Sequence, residues 1–231
     1  DLGELPAVRT TLLDVSPRGL IDLAGGRLSV RHRRALERFR YGPGICKVDW
    51  ALGGPVPWEA DACRRAGTVH VGGTLAEVAR SESDVAAGRH CERPFCLVAQ
   101  PGVVDATRAP PGSQTLWAYC HVPAGSPTDM TARIESQIER FAPGFRDLIL
   151  DRRTTTAAEA EDHNPNYVGG DINGGLPTLR QTIFRPIVRW NPYRTGLPGV
   201  YLCSASTPPG GGVHGMCGFG AARVALGDLG A

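Results

Sequence analysis

The sequence lacks several features that would assign a function directly. No apolar run approaches the roughly 20 residues that span a bilayer. The net charge of +2 gives no basic field of the kind that binds nucleic acid. The first residues, Asp1 to Glu4, do not resemble a signal peptide. We therefore expect a cytoplasmic protein that does not bind nucleic acid, and its 231 residues are enough to bury a sizeable core.

Motifs for several kinds of chemistry are also missing. The sequence has no Gly-Lys-Ser/Thr to complete a P-loop, and no Ser-His-Asp order or carboxylate pair that would indicate hydrolysis. Its seven cysteines form no C-x-x-C pair, and several lie in apolar runs, which favours reduced thiols. A zinc site from Cys91, Cys96, Cys120 and His121 would need a spacing that fits no common pattern, so we expect no metal.

The chain carries a mixture of strand and helix patterns. Strict alternation predicts a strand at Ile45–Leu52 with Trp50 on its apolar face. Lys47 and Asp49 share the opposite face, where they form either a plain strand pair or a buried pair beside a substrate. The other patterns predict strands at Thr11–Val15, Thr68–Val71, Phe95–Gln100, Thr115–Val122 and Phe145–Thr156, and helices at Pro17–Leu23, Ser29–Arg40, Thr74–Ala87 and Thr128–Phe141. Without a regular βαβ rhythm, these elements predict an α+β fold with a mixed sheet.

The stretch Gly199–Ala225 is the most informative part of the sequence. It reads as a short apolar strand, a turn with three consecutive glycines, and a glycine-studded helix that begins near Val213. This order brings backbone N–H groups and the positive end of a helix dipole to one point, which suits a phosphate, a carboxylate or an electron-rich ring edge. The alternative is a tight turn that only needs the positive φ of glycine.

Three stretches of the sequence carry a resemblance to a known family. They are Tyr41–Trp58, Asn164–Pro186 with its aromatic-Arg-Pro ending, and Gly199–Ala225 with its Pro-Gly-Gly-Gly turn. Together they resemble the C-terminal half of an FAD-dependent oxidoreductase of the phytoene desaturase type, within the amine-oxidase-like flavoprotein superfamily. The similarity extends from about Leu12 to Leu226.

One departure from that family concerns cofactor binding. Family members begin with a strand, a G-x-G-x-x-G turn and a helix that hold the ADP half of FAD, and no such element lies near the start of this sequence. The resemblance therefore implies an N-terminal FAD-binding half, in the same gene product or in a separate chain. It also implies three parts: residues 1–40 leave the FAD-binding domain, 41–163 form a substrate domain with a mixed sheet, and 164–231 contribute a flavin-approaching loop and the last strand and helix of a Rossmann-like domain. The complete protein would then be α/β overall.

The resemblance also implies roles for particular residues. The cofactor-binding residues it implies are Ser204, Ser206, Pro209, Gly210, Gly211, Gly212, Val213, His214, Gly215 and Arg185. The substrate-lining residues it implies are Gly169, Gly170, Asp171, Asn173, Lys47 and Trp50. Several assignments have alternatives. The two serines bind the cofactor or only cap a turn, His214 is a catalytic base or a residue that caps the turn or lines the pocket, and Arg185 is a flavin-facing cation or a surface ion-pair partner. The segment with Gly169, Gly170, Asp171 and Asn173 approaches the ring or the substrate channel or is a flexible loop, and Trp50 lines the cavity or belongs to the core.

The function that the resemblance implies is hydride transfer between FAD and a C–C or C–N bond of an apolar small molecule. The alternative is a non-catalytic lipid- or polyene-binding module, or a scaffold subunit, that has lost the cofactor. Contact with a membrane surface and the formation of a homo-oligomer stay open at this point.

Overall fold

The computed structural model describes residues 2–4 and 8–230, and the chain divides into two units. The discontinuous unit comprises Asp1–Gly42 and Asn164–Ala231, and the central unit comprises Pro43–His163. Both division points lie within a few residues of those expected from the sequence. The assignment of these units to an FAD-binding domain and a substrate domain stays a prediction.

Short helices and strands alternate irregularly along the described chain, and the α+β class is confirmed. The strands are β1 (Thr11–Leu13), β2 (Gly44–Leu52), β3 (Thr68–Val71), β4 (Cys96–Ala99), β5 (Gln114–Val122), β6 (Ile149–Thr155) and β7 (Val200–Leu202). The helices are α1 (Pro17–Ala24), α2 (Val30–Glu37), α3 (Asp61–Arg64), α4 (Leu75–Ala86), α5 (Pro101–Val104), α6 (Thr131–Glu139), α7 (Ala157–His163), α8 (Leu179–Ile183) and α9 (Met216–Leu229).

The central unit contains a five-stranded antiparallel sheet in the order β3-β4-β5-β2-β6. Its core lies on one face of the sheet, where Ile134 and Ile138 of α6 are fully buried. Three cysteines lie side by side on this face, because Cys120 is paired in register with both Cys46 and Cys96. Burial raises the pKa of the Cys46 thiol to about 11, and it also raises the pKa values of the other two thiols.

The alternation predicted for β2 is confirmed. Trp50 is 3% exposed and its Nε1 donates a hydrogen bond of 3.1 Å to Oε1 of Glu135, another buried side chain. On the opposite face Lys47 and Asp49 form an ion pair. Their side chains are 34% and 45% exposed, so the structure shows the plain strand pair, and the alternative of a buried pair is wrong.

The discontinuous unit is organised around a small parallel pairing. Strand β1 pairs with β7, which places Leu12 opposite Tyr201 although the two residues are far apart in sequence. Ser16 caps α1 by accepting the N–H of Gly19 at 3.1 Å, and Pro17 occupies the first helical position, as the sequence predicts. The core of the unit consists of Leu20, Ile21, Ala24, Leu28, Leu36 and Leu202.

The C-terminal helix begins later than the sequence suggests. The expected start near Val213 is wrong, because α9 begins at Met216. The residue before it, Gly215, has φ of 65° and therefore cannot belong to a right-handed helix. The glycine turn is correspondingly longer than predicted.

Other element bounds also differ from the predictions. Helix α2 ends at Glu37 rather than Arg40, and α6 is shorter at both ends. Strand β6 begins at Ile149, because Arg146–Leu148 forms a 3-10 turn. The sequence patterns do not predict α3, α5, α7 or α8, which have only four to seven residues each.

Three general properties of the described residues bear on function. All seven cysteines are free thiols. No group of His, Cys, Asp and Glu side chains within residues 2–4 and 8–230 is arranged to hold a metal ion. In the same part of the chain, every helix is too short or too polar to cross a membrane.

Candidate functional site

Asp171 organises the loop that the sequence assigns to the substrate channel. Its side chain is buried, and Oδ2 accepts the N–H of Gly42 at 2.7 Å and the N–H of Gly175 at 2.8 Å. Oδ1 accepts the N–H of Asn173 at 2.7 Å. These bonds fix the shape of the loop, so the structure gives this carboxylate a positioning role whether or not substrate approaches it.

The Asp171 loop packs directly against the glycine turn. A Cβ atom placed on Gly174 would lie 2.7 Å from Cβ of Ala205, and one placed on Gly211 would lie 2.8 Å from the carbonyl oxygen of Asn173. Such distances leave no room for a side chain at either position. Two glycine-rich segments that are separate in the sequence therefore meet backbone to backbone within the discontinuous unit.

Arg185 lies where the loop and the turn meet. It is 7% exposed, and its Nη2 donates to the carbonyl oxygen of Gly174 at 2.7 Å. A Cβ atom on Gly210 would lie 2.5 Å from Nη1, so the guanidinium also lies against the glycine turn. Its Nε has no hydrogen-bond partner among the described residues.

The charge of Arg185 is therefore poorly compensated. None of the carboxylates in residues 2–4 and 8–230 forms an ion pair with it, so the surface ion pair considered as its alternative role does not form. Burial lowers the pKa of the guanidinium, and the more distant carboxylate of Asp171 opposes that shift only in part. A buried cation with an unpaired donor is a position at which an anionic or electron-rich group is stabilised.

Ser204 and Ser206 end the segment that follows β7, and both are buried. Their hydroxyl oxygens lie 2.7 Å apart, and Oγ of Ser204 also accepts the N–H of Ser206 at 3.3 Å. The turn-capping alternative is thus present in the structure. Each hydroxyl retains further hydrogen-bonding capacity, so a second role in binding ribityl hydroxyls or phosphate stays a prediction.

A small cleft lies beside these serines and contains residues that sequence reasoning missed. It has a volume of about 200 Å³ and is lined by Tyr41 and Asn166, together with both serines and Asp171. Oδ1 of Asn166 accepts the N–H of Ser16 at 2.8 Å, and burial raises the pKa of Tyr41. The only sequence signal for Asn166 is that it belongs to the stretch Asn164–Pro186, which carries part of the family resemblance.

His214 lies in the exposed turn just before α9. Its Nδ1 is 3.0 Å from the backbone N of Met216 and accepts that N–H, so the capping alternative is observed. With Nδ1 accepting, the neutral ring carries its proton on Nε2 and presents a donor. A role for His214 as a catalytic base stays a prediction.

The remaining residues of the turn explain its glycine content. Gly210 and Gly212 have φ of 114° and 144°, which side chains rarely adopt. Pro209 precedes them, and Val213 is fully exposed. The backbone alone thus requires glycine at these positions, and their binding of a cofactor stays a prediction.

Cys217 is a further residue of the site that the sequence did not single out. It is buried near the start of α9, and its Sγ lies 3.5 Å from the carbonyl oxygen of Thr207 and 3.4 Å from that of Gly210. The thiol thereby links the first turn of the helix to the glycine turn.

The other proposed substrate-lining residues are distributed over both units. Gly169 and Gly170 have positive φ and precede the Asp171 loop in the discontinuous unit. Lys47 and Trp50 belong to the central unit, where Nζ of Lys47 lies 5.6 Å from the centre of the Trp117 ring.

The donor set of the discontinuous unit fits one part of a flavin site. A buried guanidinium with an orphaned Nε, two buried hydroxyls and the start of α9 offer positive potential and hydrogen-bond donors. The cleft of about 200 Å³ is smaller than the roughly 300–1,000 Å³ of typical ligand pockets. The residues present therefore fit a portion of the cofactor rather than all of it.

No family model matches the chain, but its sequence is similar to those of several curated oxidoreductases. The chain is 31% identical over 158 residues to mouse pyridine nucleotide-disulfide oxidoreductase domain-containing protein 2. This alignment covers 63% of this chain and 27% of that protein. It is 34% identical over 128 residues to the 4,4'-diapolycopen-4-al dehydrogenase of Metabacillus indicus, covering 52% of this chain and 25% of that protein. It is 28% identical over 136 residues to the lycopene-forming phytoene desaturase of Pseudescherichia vulneris, covering 54% of this chain and 27% of that protein.

A solved structure shows a similar fold. An oxidoreductase from Methanosarcina mazei superposes with a TM-score of 0.56 at 14% identity, over 97% of this chain and 43% of that protein. The matches span about a quarter of the length of the curated relatives. This partial coverage fits a C-terminal portion, and the comparisons confirm that the chain is related to phytoene desaturase-like oxidoreductases.

Proposed function

We propose that this chain is the flavin-facing portion of an FAD-dependent, phytoene desaturase-like oxidoreductase. An N-terminal dinucleotide-binding half, in the same gene product or in a separate chain, binds the ADP moiety of FAD. The observation that carries the proposal is the position of Arg185: its buried guanidinium, whose Nε has no hydrogen-bond partner among the described residues, is held between the Asp171 loop and the glycine turn. The related oxidoreductases and the partial cleft support the same assignment.

Bound FAD would supply the redox chemistry: oxidation of a C–C or C–N bond to a double bond would transfer a hydride from one substrate atom to the flavin and release a proton from the neighbouring atom, and reduction would be the reverse. The chain's own residues supply charge and position. The guanidinium of Arg185 and the N-terminal end of α9 favour negative charge placed beside them. Ser204 and Ser206 offer hydroxyls to the cofactor, and Asp171 holds the loop that supports Arg185.

The substrate that we propose is an apolar small molecule, with a polyene as the leading class. Two relatives are named for polyenes, a diapolycopenal and phytoene. A groove of about 520 Å³ beside the glycine turn is lined by Pro208, Pro209, Met216 and Phe219 among others. Phe219 is 55% exposed there, and apolar surface of this kind suits an apolar ligand.

The test measures flavin content and the midpoint potential of the bound flavin in the natural full-length protein. We expect a flavin spectrum in the wild type. Arg185→Met removes a positive charge that favours the reduced, more negative cofactor, so the potential should fall by about 30 mV or more, which is about 1.4 kcal/mol for a two-electron couple. Arg185→Lys keeps the charge and should show a smaller shift.

The matched control is Arg65→Met, which removes an exposed arginine from the central unit. Its potential should stay at the wild-type value. Equal potentials in Arg185→Met and the wild type would contradict the role of Arg185. A folded, colourless protein that never takes up FAD would reject the enzyme and leave the non-catalytic polyene-binding module as the function.

A further inference from the structure

The sheet of the central unit has a second face, opposite to the face that bears the core. On this face β5 carries Trp117, Tyr119 and His121, which are all half-buried, and none of the three belongs to the core of the unit. The rings of Trp117 and Tyr119 are stacked, with centroids 6.4 Å apart and planes 10° apart. The ring of His121 follows, with its centroid 6.1 Å from that of Tyr119. The strand therefore presents a continuous row of three rings, which we call the β5 ring row.

A carboxylate orients the histidine at the end of this row. Nδ1 of His121 lies 2.9 Å from Oε2 of Glu82 on α4. An ionised carboxylate only accepts hydrogen bonds, so Nδ1 carries the proton of the neutral ring and Nε2 presents its lone pair. Within residues 2–4 and 8–230 no hydrogen bond engages Nε2, and the side chain is 24% exposed. The ring thus offers an accessible proton acceptor.

The second oxygen of Glu82 adds to this arrangement. Oε1 is buried and has no hydrogen-bond partner among the described residues. The bond to His121 is therefore the one hydrogen bond described for this carboxylate. A carboxylate behind an imidazole stabilises the imidazolium that forms when the other ring nitrogen takes up a proton. The pair has the form of a base and its orienting group.

The charged pair beside the β5 ring row does not offer such a base. Lys47 is paired in register with Tyr119, and its Nζ lies 5.6 Å from the centre of the Trp117 ring. The same Nζ donates to both carboxylate oxygens of Asp49, so that carboxylate is already engaged. On the other side of the strand, Leu97 is paired in register with Tyr119 and adds apolar surface. The surroundings of the row are thus apolar or internally neutralised.

We propose that His121 is the general base of the oxidation and that Trp117 and Tyr119 contact the polyene; this inference rests on the proposed function. A hydride leaves one carbon with its electron pair and passes to the flavin, which leaves a positive charge delocalised along the polyene. The ring faces of Trp117 and Tyr119 stabilise such a cation. Nε2 of His121 takes the proton of the neighbouring carbon, and the electrons of that C–H bond form the new double bond. Glu82 is a positioning residue, and water finally receives the proton.

The first experiment follows reduction of the flavin when the natural full-length protein is mixed with phytoene without oxygen. His121→Gln should slow the reduction by about 100-fold or more, which is the usual contribution of a general base. The matched control is His70→Gln. His70 lies on the same face, opposite Leu97, but stacks on Phe95 and forms no ion pair within the described residues. Its variant should react at nearly the wild-type rate.

The possible results separate this inference from the proposed function. A wild type that holds flavin but is not reduced by phytoene would reject the polyene substrate, and the base with it. A wild type that is reduced, together with an equally fast His121→Gln variant, would reject the base alone. An equal loss in His70→Gln and His121→Gln would show a general effect of this face and would also reject the base.

A readout that does not depend on turnover is the tautomer of His121. Nitrogen NMR of the histidine-labelled full-length protein should show a proton on Nδ1 and none on Nε2. Glu82→Leu removes the acceptor, so the signal should shift towards the Nε2–H form that free imidazole side chains favour, and flavin reduction should slow less than in His121→Gln. An unchanged tautomer would contradict the positioning role of Glu82. A changed tautomer with an unchanged rate would reduce the pair to a structural contact between α4 and the sheet.

Binding of the polyene tests the β5 ring row separately. Phytoene retained by the gel-filtered full-length protein should decrease in Trp117→Leu and in the smaller change Tyr119→Leu. The control Trp190→Leu alters a fully exposed tryptophan of the discontinuous unit and should retain the wild-type amount. His121→Gln should also retain it, since His121 acts in the reaction. Wild-type retention in both ring variants would overturn the proposed contact. Flavin content should be the same in all variants, in contrast to a loss of the cofactor site.

Discussion

The carboxylate of Asp171 accepts the backbone N–H of Gly42, a residue 129 positions earlier in the chain, at 2.7 Å. The two residues belong to the two separate stretches that make up the discontinuous unit. A Cβ atom on Gly42 would lie 3.3 Å from the carboxylate, so the contact is also tight. One acidic side chain thereby joins the end of the first stretch to the loop that supports Arg185.

Replacement of Asp171 by Asn should destabilise the protein by about 2–4 kcal/mol. The carboxylate accepts three backbone N–H bonds, and hydrogen bonds to a buried charge contribute about 1.5–3 kcal/mol each. The Asn amide can present only one oxygen, and its NH₂ group would face an N–H donor. Chemical denaturation of the natural full-length protein measures the change.

Asp22→Asn is the matched control, because Asp22 is exposed on α1. It should change the free energy of unfolding by less than about 0.5 kcal/mol. If Asp171→Asn were equally neutral, the three hydrogen bonds would not hold the loop. We also expect flavin retention to fall with Asp171→Asn, since the loop positions Arg185.

Substitution by Ala at two glycines of α9 should change the stability of the protein in opposite directions. A Cβ atom on Gly220 would lie 2.3 Å from the hydroxyl oxygen of Tyr193, which donates to the carbonyl oxygen of Pro208 at 3.0 Å. Gly220→Ala must displace that ring and should cost about 1–3 kcal/mol. Gly218 has no atom within 4 Å of its Cβ position, so Gly218→Ala should stabilise the helix by about 0.5–1 kcal/mol.

Thermal unfolding of both variants measures these changes. The expected result is a lower melting temperature for Gly220→Ala and a higher one for Gly218→Ala. Two shifts of the same sign would mean that helix propensity alone, and not packing against Tyr193, decides the outcome.

Local patterns in the sequence were sufficient for much of the fold. Ser16 with Pro17 marks the start of α1, and the spacing of Thr74 and Glu77 marks the capping box that opens α4. Alternation identifies the buried face of β2. Each of these signals depends on residues within one turn or one strand, which is why the sequence alone reveals it.

The candidate site could be predicted only in part, because its shape depends on distant contacts. The sequence identifies Arg185 and the glycine turn as separate features, but it does not show that Gly174 and Gly211 bring the two together. The later start of α9 depends on the left-handed conformation of Gly215 alone. A run of several glycines does not reveal which of them ends the turn.

At acid pH, the stability of the central unit should depend on the ionisation of Glu77. Hydrogen bonds from Arg140 and from the N-cap Thr74 lower the pKa of this carboxyl to about 2, against an ordinary value of 4.5. A lowered pKa in the folded state gives stabilisation that is complete above the unfolded value and is lost as the pH falls towards the folded value. Melting temperatures of the wild type should therefore fall between about pH 4.5 and about pH 2 more steeply than those of Glu77→Gln.

Glu59→Gln serves as the control for this titration, because Glu59 is an exposed glutamate of the same unit. Its acid profile should follow that of the wild type. Parallel profiles for Glu77→Gln and the wild type would show that the ion pair with Arg140 does not contribute to folding.

Lys47 and Trp50, both expected to line the substrate, should behave differently when changed. The Lys47–Asp49 pair is partly exposed, and such pairs contribute about 0–1 kcal/mol, so Lys47→Met should leave stability nearly unchanged. If Lys47 contacts substrate, the variant should instead change KM.

Trp50→Phe removes buried volume and the bond to Glu135, and it should cost about 1–3 kcal/mol with little effect on KM. Denaturation curves and steady-state kinetics with a polyene substrate distinguish the two. An unchanged KM in Lys47→Met would make this residue part of a plain strand pair, whereas a changed KM in stable Trp50→Phe would move Trp50 from the core to the site.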